Sequence, residues 1–326
     1  MASLRKLALA CAVLVLAITS LSAFLRLSAS GLGCEPWPQC YGQSLRDRQQ
    51  GVVTPPTGLV TAARISHRVA AVAALLLIIV MVMNTWSKAP VLRREGTIVL
   101  GLLFLALFLA ILGRWTANAK VPAVVLGNLV GGFAMFALSC RLAELLARRP
   151  VAGGADFSRW AWAGIALLVT QVALGGMVNA TYAGLSCPEL TRCDMAGASW
   201  QALDPWQAPG FDPAAPTNPS GALVQWLHRM GAVAVFAVLL PLGIVSWRQG
   251  RRMGAALVVL LAVEAVLGVM LVRGTLALPA ALAHNIVAAL LLAATLSLAA
   301  GRGRPASQAT PGQDMTSGSP FGESAM

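Results

Sequence analysis

The chain has few charged residues and very few side chains that bind metals. Only 11% of its 326 residues are charged, acidic residues number 12, and histidine occurs three times. Soluble domains carry about 25% charged and about 45–50% apolar residues, whereas 57% of this chain is hydrophobic. The composition therefore excludes an ordinary soluble domain and predicts an integral membrane protein.

Long apolar runs divide the chain into membrane spans. About 20 mainly apolar residues cross a bilayer as a helix, and eight such runs are predicted at 7–26, 59–86, 96–116, 121–145, 159–179, 221–247, 253–273 and 278–300. The first run is too long for the apolar region of a signal peptide, and Arg26 follows it without a clear cleavage site. The predicted fold is an all-α membrane protein with eight transmembrane helices.

Lysines and arginines predict how the chain is oriented. They cluster at alternate ends of the spans, from Arg5 and Lys6 to Arg302 and Arg304. Since short cytoplasmic loops hold an excess of basic residues, both termini are predicted to be cytoplasmic. We expect a multi-pass protein of the bacterial inner membrane, with the long outer loops in the periplasm. Anionic inner-leaflet lipid accounts for the net charge of +12, so no nucleic-acid partner is expected.

The two long outer loops, 27–58 and 180–220, each open with a cysteine pair. Cys34 and Cys40 have the same Cys-x5-Cys spacing as Cys187 and Cys193. Disulfides form and persist in an oxidising compartment, which favours the pairs Cys34–Cys40 and Cys187–Cys193. A metal site is the alternative, although zinc sites usually have the tighter Cys-x2-Cys spacing.

Sequence motifs recur between the two halves of the chain. SHRVAAVA around His67 resembles LHRMGAVA around His228, and the cysteine motif at 28–40 resembles that at 181–193. The repeat predicts two tandem four-helix bundles, related by a pseudo-twofold axis along the membrane normal as in parallel repeats. We place the halves at 1–150 and 151–301. The tail 302–326 is rich in Gly, Ser and Pro, which predicts disorder.

Two histidines in the second half are predicted to form one site. An ionisable side chain kept near lipid is costly, so it marks a functional site by default. His228 and His284 are expected at the same depth, where two imidazoles would suit a haem iron better than zinc, which takes about four ligands. The alternative is a pair of buried polar residues bonded to backbone or to each other. Arg68 and Arg229 follow the histidines of the repeat, and each would either pair with a haem propionate or extend to the interface.

The first half departs from this pattern. It keeps His67, but it has Gly127 or Asn128 where the repeat predicts a second histidine. Counting from Pro122 and Pro279 selects Gly127, and a shift of one residue selects Asn128. A single imidazole leaves one face of an iron open, which suits a substrate better than a permanent electron carrier.

Several motifs together resemble the haem A synthase family, which oxidises a methyl group of haem O to the formyl group of haem A for cytochrome oxidase. They are RLSASGLGCEPWPQCYGQ, ISHRVAA, LGRWTANAKVPAVV, TQVALGG, QWLHRMGA and LPAALAHNIVAALLL, and they cover nearly all of residues 7–300. The resemblance implies haem b held by His228 and His284, haem O beside His67 as a candidate catalytic residue, and an outer-loop pair at Cys34 and Cys40. It also implies the enzyme that makes haem O as a partner; a homo-oligomer is possible.

Two positions differ from the family pattern. Members usually carry a glutamate three residues before the first histidine of the repeat, where this chain has Arg64, and a histidine where it has Asn128. Glu35 is a possible substitute acid, and Glu264 is expected to make a structural hydrogen bond. The leading hypothesis is haem O oxidation. The alternatives are a non-catalytic haem-binding or haem-delivery protein and, third, a thiol oxidoreductase that uses the cysteine pairs.

Overall fold

The structure is a computed structural model that describes residues 2–52, 55–87, 92–116, 121–147, 158–209, 217–273 and 276–300. The tail 302–326, for which the sequence predicts disorder, lies outside the described residues.

Long helices form almost all of the described regular structure. In chain order the helices are α1 (Ala2–Ser30), α2 (Gln43–Gln49), α3 (Gly58–Trp86), α4 (Arg93–Thr116), α5 (Pro122–Ala147), α6 (Ser158–Ala180), α7 (Ala222–Arg248), α8 (Arg252–Arg273) and α9 (Leu278–Ala300). All except α2 are long and apolar enough to cross a membrane. The eight predicted spans and the all-α fold class are confirmed, and the described ranges contain no strand.

The first helix extends past the predicted end of its span. The predicted span ended at Arg26, whereas α1 continues to Ser30. The guanidinium of Arg26 donates from Nη2 to Oδ1 of Asn285 on α9 at 3.0 Å. A partly buried charge is tolerated within a helix bundle when it is hydrogen-bonded, so Arg26 joins two helices and does not mark a helix end.

The transmembrane helices pack as two rings of four. In the first ring α1 contacts α3 and α5, and α4 completes the ring between α3 and α5. The second ring has the same order, with α6 against α7 and α9 and with α8 between them. The rings meet where α1 and α5 contact α6 and α9. This arrangement is consistent with the predicted repeat of a four-helix unit.

The two cysteine loops pack against each other at one end of the bundle. Tyr41 from the first loop is only 1% exposed, and its hydroxyl accepts a hydrogen bond from the backbone N–H of Gly184 in the second loop at 3.3 Å. Its ring meets that of Tyr182 edge to face, with centroids 6.1 Å apart. Burial raises the pKa of the Tyr41 phenol well above its ordinary value, so the hydroxyl stays neutral and keeps the loops joined.

The first loop contains helix α2, which the sequence did not predict. Arg46 in this helix donates from Nη1 to the carbonyl of Tyr41 at 2.8 Å and from Nη2 to the carbonyl of Gln39 at 2.5 Å. One arginine thus satisfies carbonyls that the turn leaves without backbone partners. The loop is held in shape by these bonds.

Candidate functional site

The structure brings His228 and His284 together in the second ring of helices. His228 lies on α7 near its start, and His284 lies on α9 near its start. Their ring centroids are 6.5 Å apart and their planes are inclined at 83°. The sequence placed both residues at one depth, and the structure brings their rings close to each other with nearly perpendicular planes.

The surroundings of His228 leave its ring free to bind a ligand. Nε2 of Gln171 on α6 donates to the backbone carbonyl of His228 at 2.8 Å, which fixes α6 against α7 at this level. Gly175, one turn further along α6, faces the imidazole, and a Cβ added there would lie 2.9 Å from Cε1 of His228. Nδ1 of His228 is buried and has no hydrogen-bond partner in the described structure.

The surroundings of His284 differ, because a carboxylate lies beside it. Oε1 of Glu264 on α8 is 3.2 Å from Nδ1 of His284, and both side chains are largely shielded. The nearest glycine of the same helix, Gly268, leaves a more open space, with a Cβ position 3.8 Å from Cε1 of His284. The sequence predicted a structural hydrogen bond for Glu264 but did not identify its neighbour in space. An acidic residue inside an apolar span is itself a sign of a functional site.

This arrangement fits one metal ion between two imidazoles. An imidazole nitrogen binds a metal at about 2 Å and the ring centroid lies about 1 Å behind it, so two rings on opposite sides of one iron would have centroids roughly 6 Å apart. The observed separation of 6.5 Å agrees with this value. The buried Nδ1 of His228 without a partner and the space at Gly175 agree as well, so these residues suit a haem with two histidine ligands.

Arg229 and Arg68, the two arginines of the repeat, have different surroundings. Arg229 donates to the backbone carbonyls of Cys187, Glu189 and Leu190, with the Cys187 contact at 2.6 Å. It therefore holds the turn of the second cysteine loop against α7. Arg68 is exposed on α3, and its role at a propionate stays a prediction, as does that of Arg229.

His67 lies in the other ring of helices, on α3. It is half-buried and one turn from the buried Ala63, so it lies on the inner side of its helix. Arg64, three residues before His67, is exposed. The structure therefore separates the histidine of the first half from the pair in the second half.

Gly127 and Asn128, the two residues that the sequence left open, face different helices. A Cβ on Gly127 would lie 2.8 Å from Cδ2 of Leu112 on α4, so this residue faces α4, just as His284 faces α8. Asn128 instead donates to Oγ of Ser22 on α1 at 3.3 Å. Gly127 thus resembles His284 in the helix that it faces, and the identity of the counterpart stays a prediction.

Both predicted cysteine pairs are at bonding distance. Cys34 and Cys40 are joined with a Cα–Cα distance of 6.0 Å, and Cys187 and Cys193 with a Cα–Cα distance of 4.7 Å. The two bridges lie in loops that pack at the end of the bundle nearest the histidine pair. They close the turns that cover this end.

Comparison with known proteins identifies the family. The sequence model of the COX15-CtaA family, described as cytochrome oxidase assembly protein, matches residues 5–296. A protein named heme A synthase from Shewanella oneidensis is 29% identical over 282 residues, which cover 79% of this chain and 84% of that relative. The match extends over all eight spans, both cysteine loops and all three histidines, and the chain therefore belongs to the COX15-CtaA family of cytochrome oxidase assembly proteins.

Proposed function

We propose that this protein oxidises the methyl group of haem O to the formyl group of haem A, for cytochrome oxidase assembly. The observation that carries the proposal is the pair of imidazoles from α7 and α9, whose centroids lie 6.5 Å apart. In this proposal the second half, 151–301, holds a haem b as resident cofactor. The first half, 1–150, receives haem O as substrate beside His67.

The residues of the second half would hold the cofactor in place. Haem b, when bound, supplies one-electron transfer, and its potential is set by axial ligands and their hydrogen bonds. His228 and His284 are the ligands in this proposal, and Gln171 fixes the backbone that carries His228. Gly175 leaves the room that the ring of His228 requires, and the cysteine loop held by Arg229 covers this end of the bundle.

The first half has the features of a site where a haem is exchanged. His67 supplies one imidazole, while Gly127, which lies against Leu112, supplies no ligand in the place where the repeat predicts a second histidine. An iron held from one side is released more easily than one clamped from two. This supports His67 as the residue that positions haem O, which the membrane-embedded enzyme that makes haem O would deliver through the bilayer.

The proposed location is the bacterial inner membrane, with both termini in the cytoplasm and the cysteine loops in the periplasm. The excess of lysine and arginine at alternate ends of the spans supports this orientation. The two cysteine pairs also support it, because both are at bonding distance and disulfides form and persist in an oxidising compartment.

A second candidate function is haem binding or delivery without catalysis. The exposed Arg64 on α3 favours it, because this chain lacks the family's glutamate at that place. A carboxylate there would serve as a base or stabilise developing positive charge, and an arginine has the opposite electrostatic effect. The two candidates share the haem b site and differ in whether haem O is converted.

Purification from a host supplied with haem O separates the candidates. The pigment is extracted and its porphyrins are identified by mass, with His284→Ala and His67→Ala variants prepared in parallel. The proposal expects a b-type spectrum that His284→Ala abolishes, together with formyl-haem product that His67→Ala reduces while the b-type spectrum stays. A b-type spectrum without formyl product supports the second candidate, and a pigment-free wild type refutes both.

A further inference from the structure

We propose that Glu264 is a positioning residue for the axial ligand His284, orienting its ring through Nδ1 and strengthening its donation to iron. The inference rests on the proposed haem b site and adds a residue to it. Its basis is the juxtaposition of Oε1 of Glu264 on α8 with Nδ1 of His284 on α9, at 3.2 Å.

The carboxyl group of Glu264 is costly where it lies, and Nδ1 of His284 is 3.2 Å from it. Glu264 sits in the middle of α8, a span of otherwise apolar side chains, and its Oε2 has no hydrogen-bond partner in the described structure. Acidic residues within a membrane bundle are rare and face a partner that requires them. The approach to His284 is therefore the interaction that accounts for this residue.

The repeat provides an internal comparison. The Leu-Gly motif near the end of α4, with Gly113, corresponds to the one near the end of α8, with Gly268. Four residues before each glycine stand Leu109 in the first half and Glu264 in the second. Gly127 is the predicted counterpart of His284, so the half that lacks the histidine also lacks the carboxylate. Both members of the pair are replaced together by residues without polar side chains, as expected if Glu264 serves His284.

The two ligands of the pair differ in what lies beside Nδ1. This atom has no hydrogen-bond partner in the described structure in either histidine, and Gly175 lies against the ring of His228. His284 differs from His228 in having a carboxyl oxygen, Oε1 of Glu264, 3.2 Å from Nδ1. A carboxylate at the second nitrogen of a metal-bound histidine fixes the ring and raises the basicity of the ligand. A more basic ligand stabilises ferric over ferrous iron, so Glu264 lowers the reduction potential of the haem.

The test replaces Glu264 with the residue of the other half and with an isostere, and measures haem retention, midpoint potential and the electron paramagnetic resonance of ferric haem. Glu264→Leu should weaken haem retention by about 10- to 100-fold. Each tenfold loss of ferric affinity that ferrous haem does not share raises the midpoint potential by about 59 mV. Glu264→Gln keeps an acceptor oxygen and should retain the haem, yet still raise the potential, because an amide is a weaker acceptor than a carboxylate.

Glu144→Gln is the matched control. Glu144 on α5 accepts a hydrogen bond from α9, from the hydroxyl of Ser297, but that serine lies roughly 20 Å along the helix from His284. The control should keep the wild-type potential. If neither the wild type nor the control carries b-type haem, the proposed haem b site is wrong. If both carry it, and Glu264→Gln has the same midpoint potential and the same electron paramagnetic resonance signal, only the role of Glu264 is refuted. The Gln variant decides this even if Glu264→Leu does not fold.

Discussion

The sharpest test of the site is Gly175→Ala, which adds one methyl group beside a proposed iron ligand. The new Cβ would lie 2.9 Å from Cε1 of His228, whereas carbon atoms in contact prefer about 3.5–4.0 Å. The ring, or helix α6, must therefore move by roughly 0.6 Å or more. Metal–ligand distances tolerate only about 0.2 Å, so the ring cannot both accept the methyl group and keep its bond to iron.

Overpacking of this kind costs about 1–3 kcal/mol, which corresponds to a loss of haem affinity of about 5- to 150-fold. The assay is the ratio of haem to polypeptide after purification, combined with the low-spin signal of ferric haem. We expect the purified variant to contain less haem per polypeptide than the wild type. We also expect the low-spin signal of its ferric haem to change from that of two histidine ligands to that of weaker ligation.

Two other glycines provide controls with the same substitution. Gly268→Ala places a Cβ 3.8 Å from Cε1 of His284, an ordinary contact, and should keep the haem. Gly176→Ala places a Cβ 2.6 Å from Cδ2 of Leu126 on α5, so it disturbs packing between the rings without touching a ligand. If Gly175→Ala retains wild-type haem and the wild-type signal, α6 does not face the ligand and our description of the site is wrong.

Three further predictions concern the contacts that support the site. Tyr41→Phe removes the acceptor for the Gly184 N–H and should lower the free energy of unfolding by about 1 kcal/mol, measured by thermal unfolding in detergent. Because burial raises the pKa of this phenol, native stability should fall as the pH rises above the ordinary tyrosine value of about 10, and Tyr41→Phe should lose that dependence. Arg229→Lys replaces the planar guanidinium, which donates to several carbonyls, by a single ammonium group, and it should speed backbone hydrogen exchange in the second cysteine loop. If exchange is unchanged but haem is lost, Arg229 instead binds a haem propionate. Arg26→Met and Asn285→Leu should be non-additive by about 0.5–3 kcal/mol in a double-mutant cycle, and additive effects would contradict the contact between the rings.

The eight spans and the membrane class follow from the sequence alone, because about 20 apolar residues in a row have no other stable environment than a bilayer. The repeat, the cysteine pairs and the choice of His228 and His284 as one site also follow from it, since local motifs and span parity fix which residues share an end of the bundle. The end of α1 did not follow, because a sequence cannot show that Arg26 has a partner in Asn285.

Only the packing of helices decided the remaining features of the site. Which helix Gly127 or Asn128 faces depends on the rotation of α5, because a shift of one residue turns a helix by about 100°. In the structure Gly127 faces Leu112 on α4, and Asn128 faces Ser22 on α1. The approach of Glu264 to His284 joins two helices whose relative rotation no local pattern encodes. The sequence determined which side chains lie in the membrane and near which end, and the tertiary structure determined which of them touch, because contact between helices depends on ångström-scale packing that periodicity does not specify.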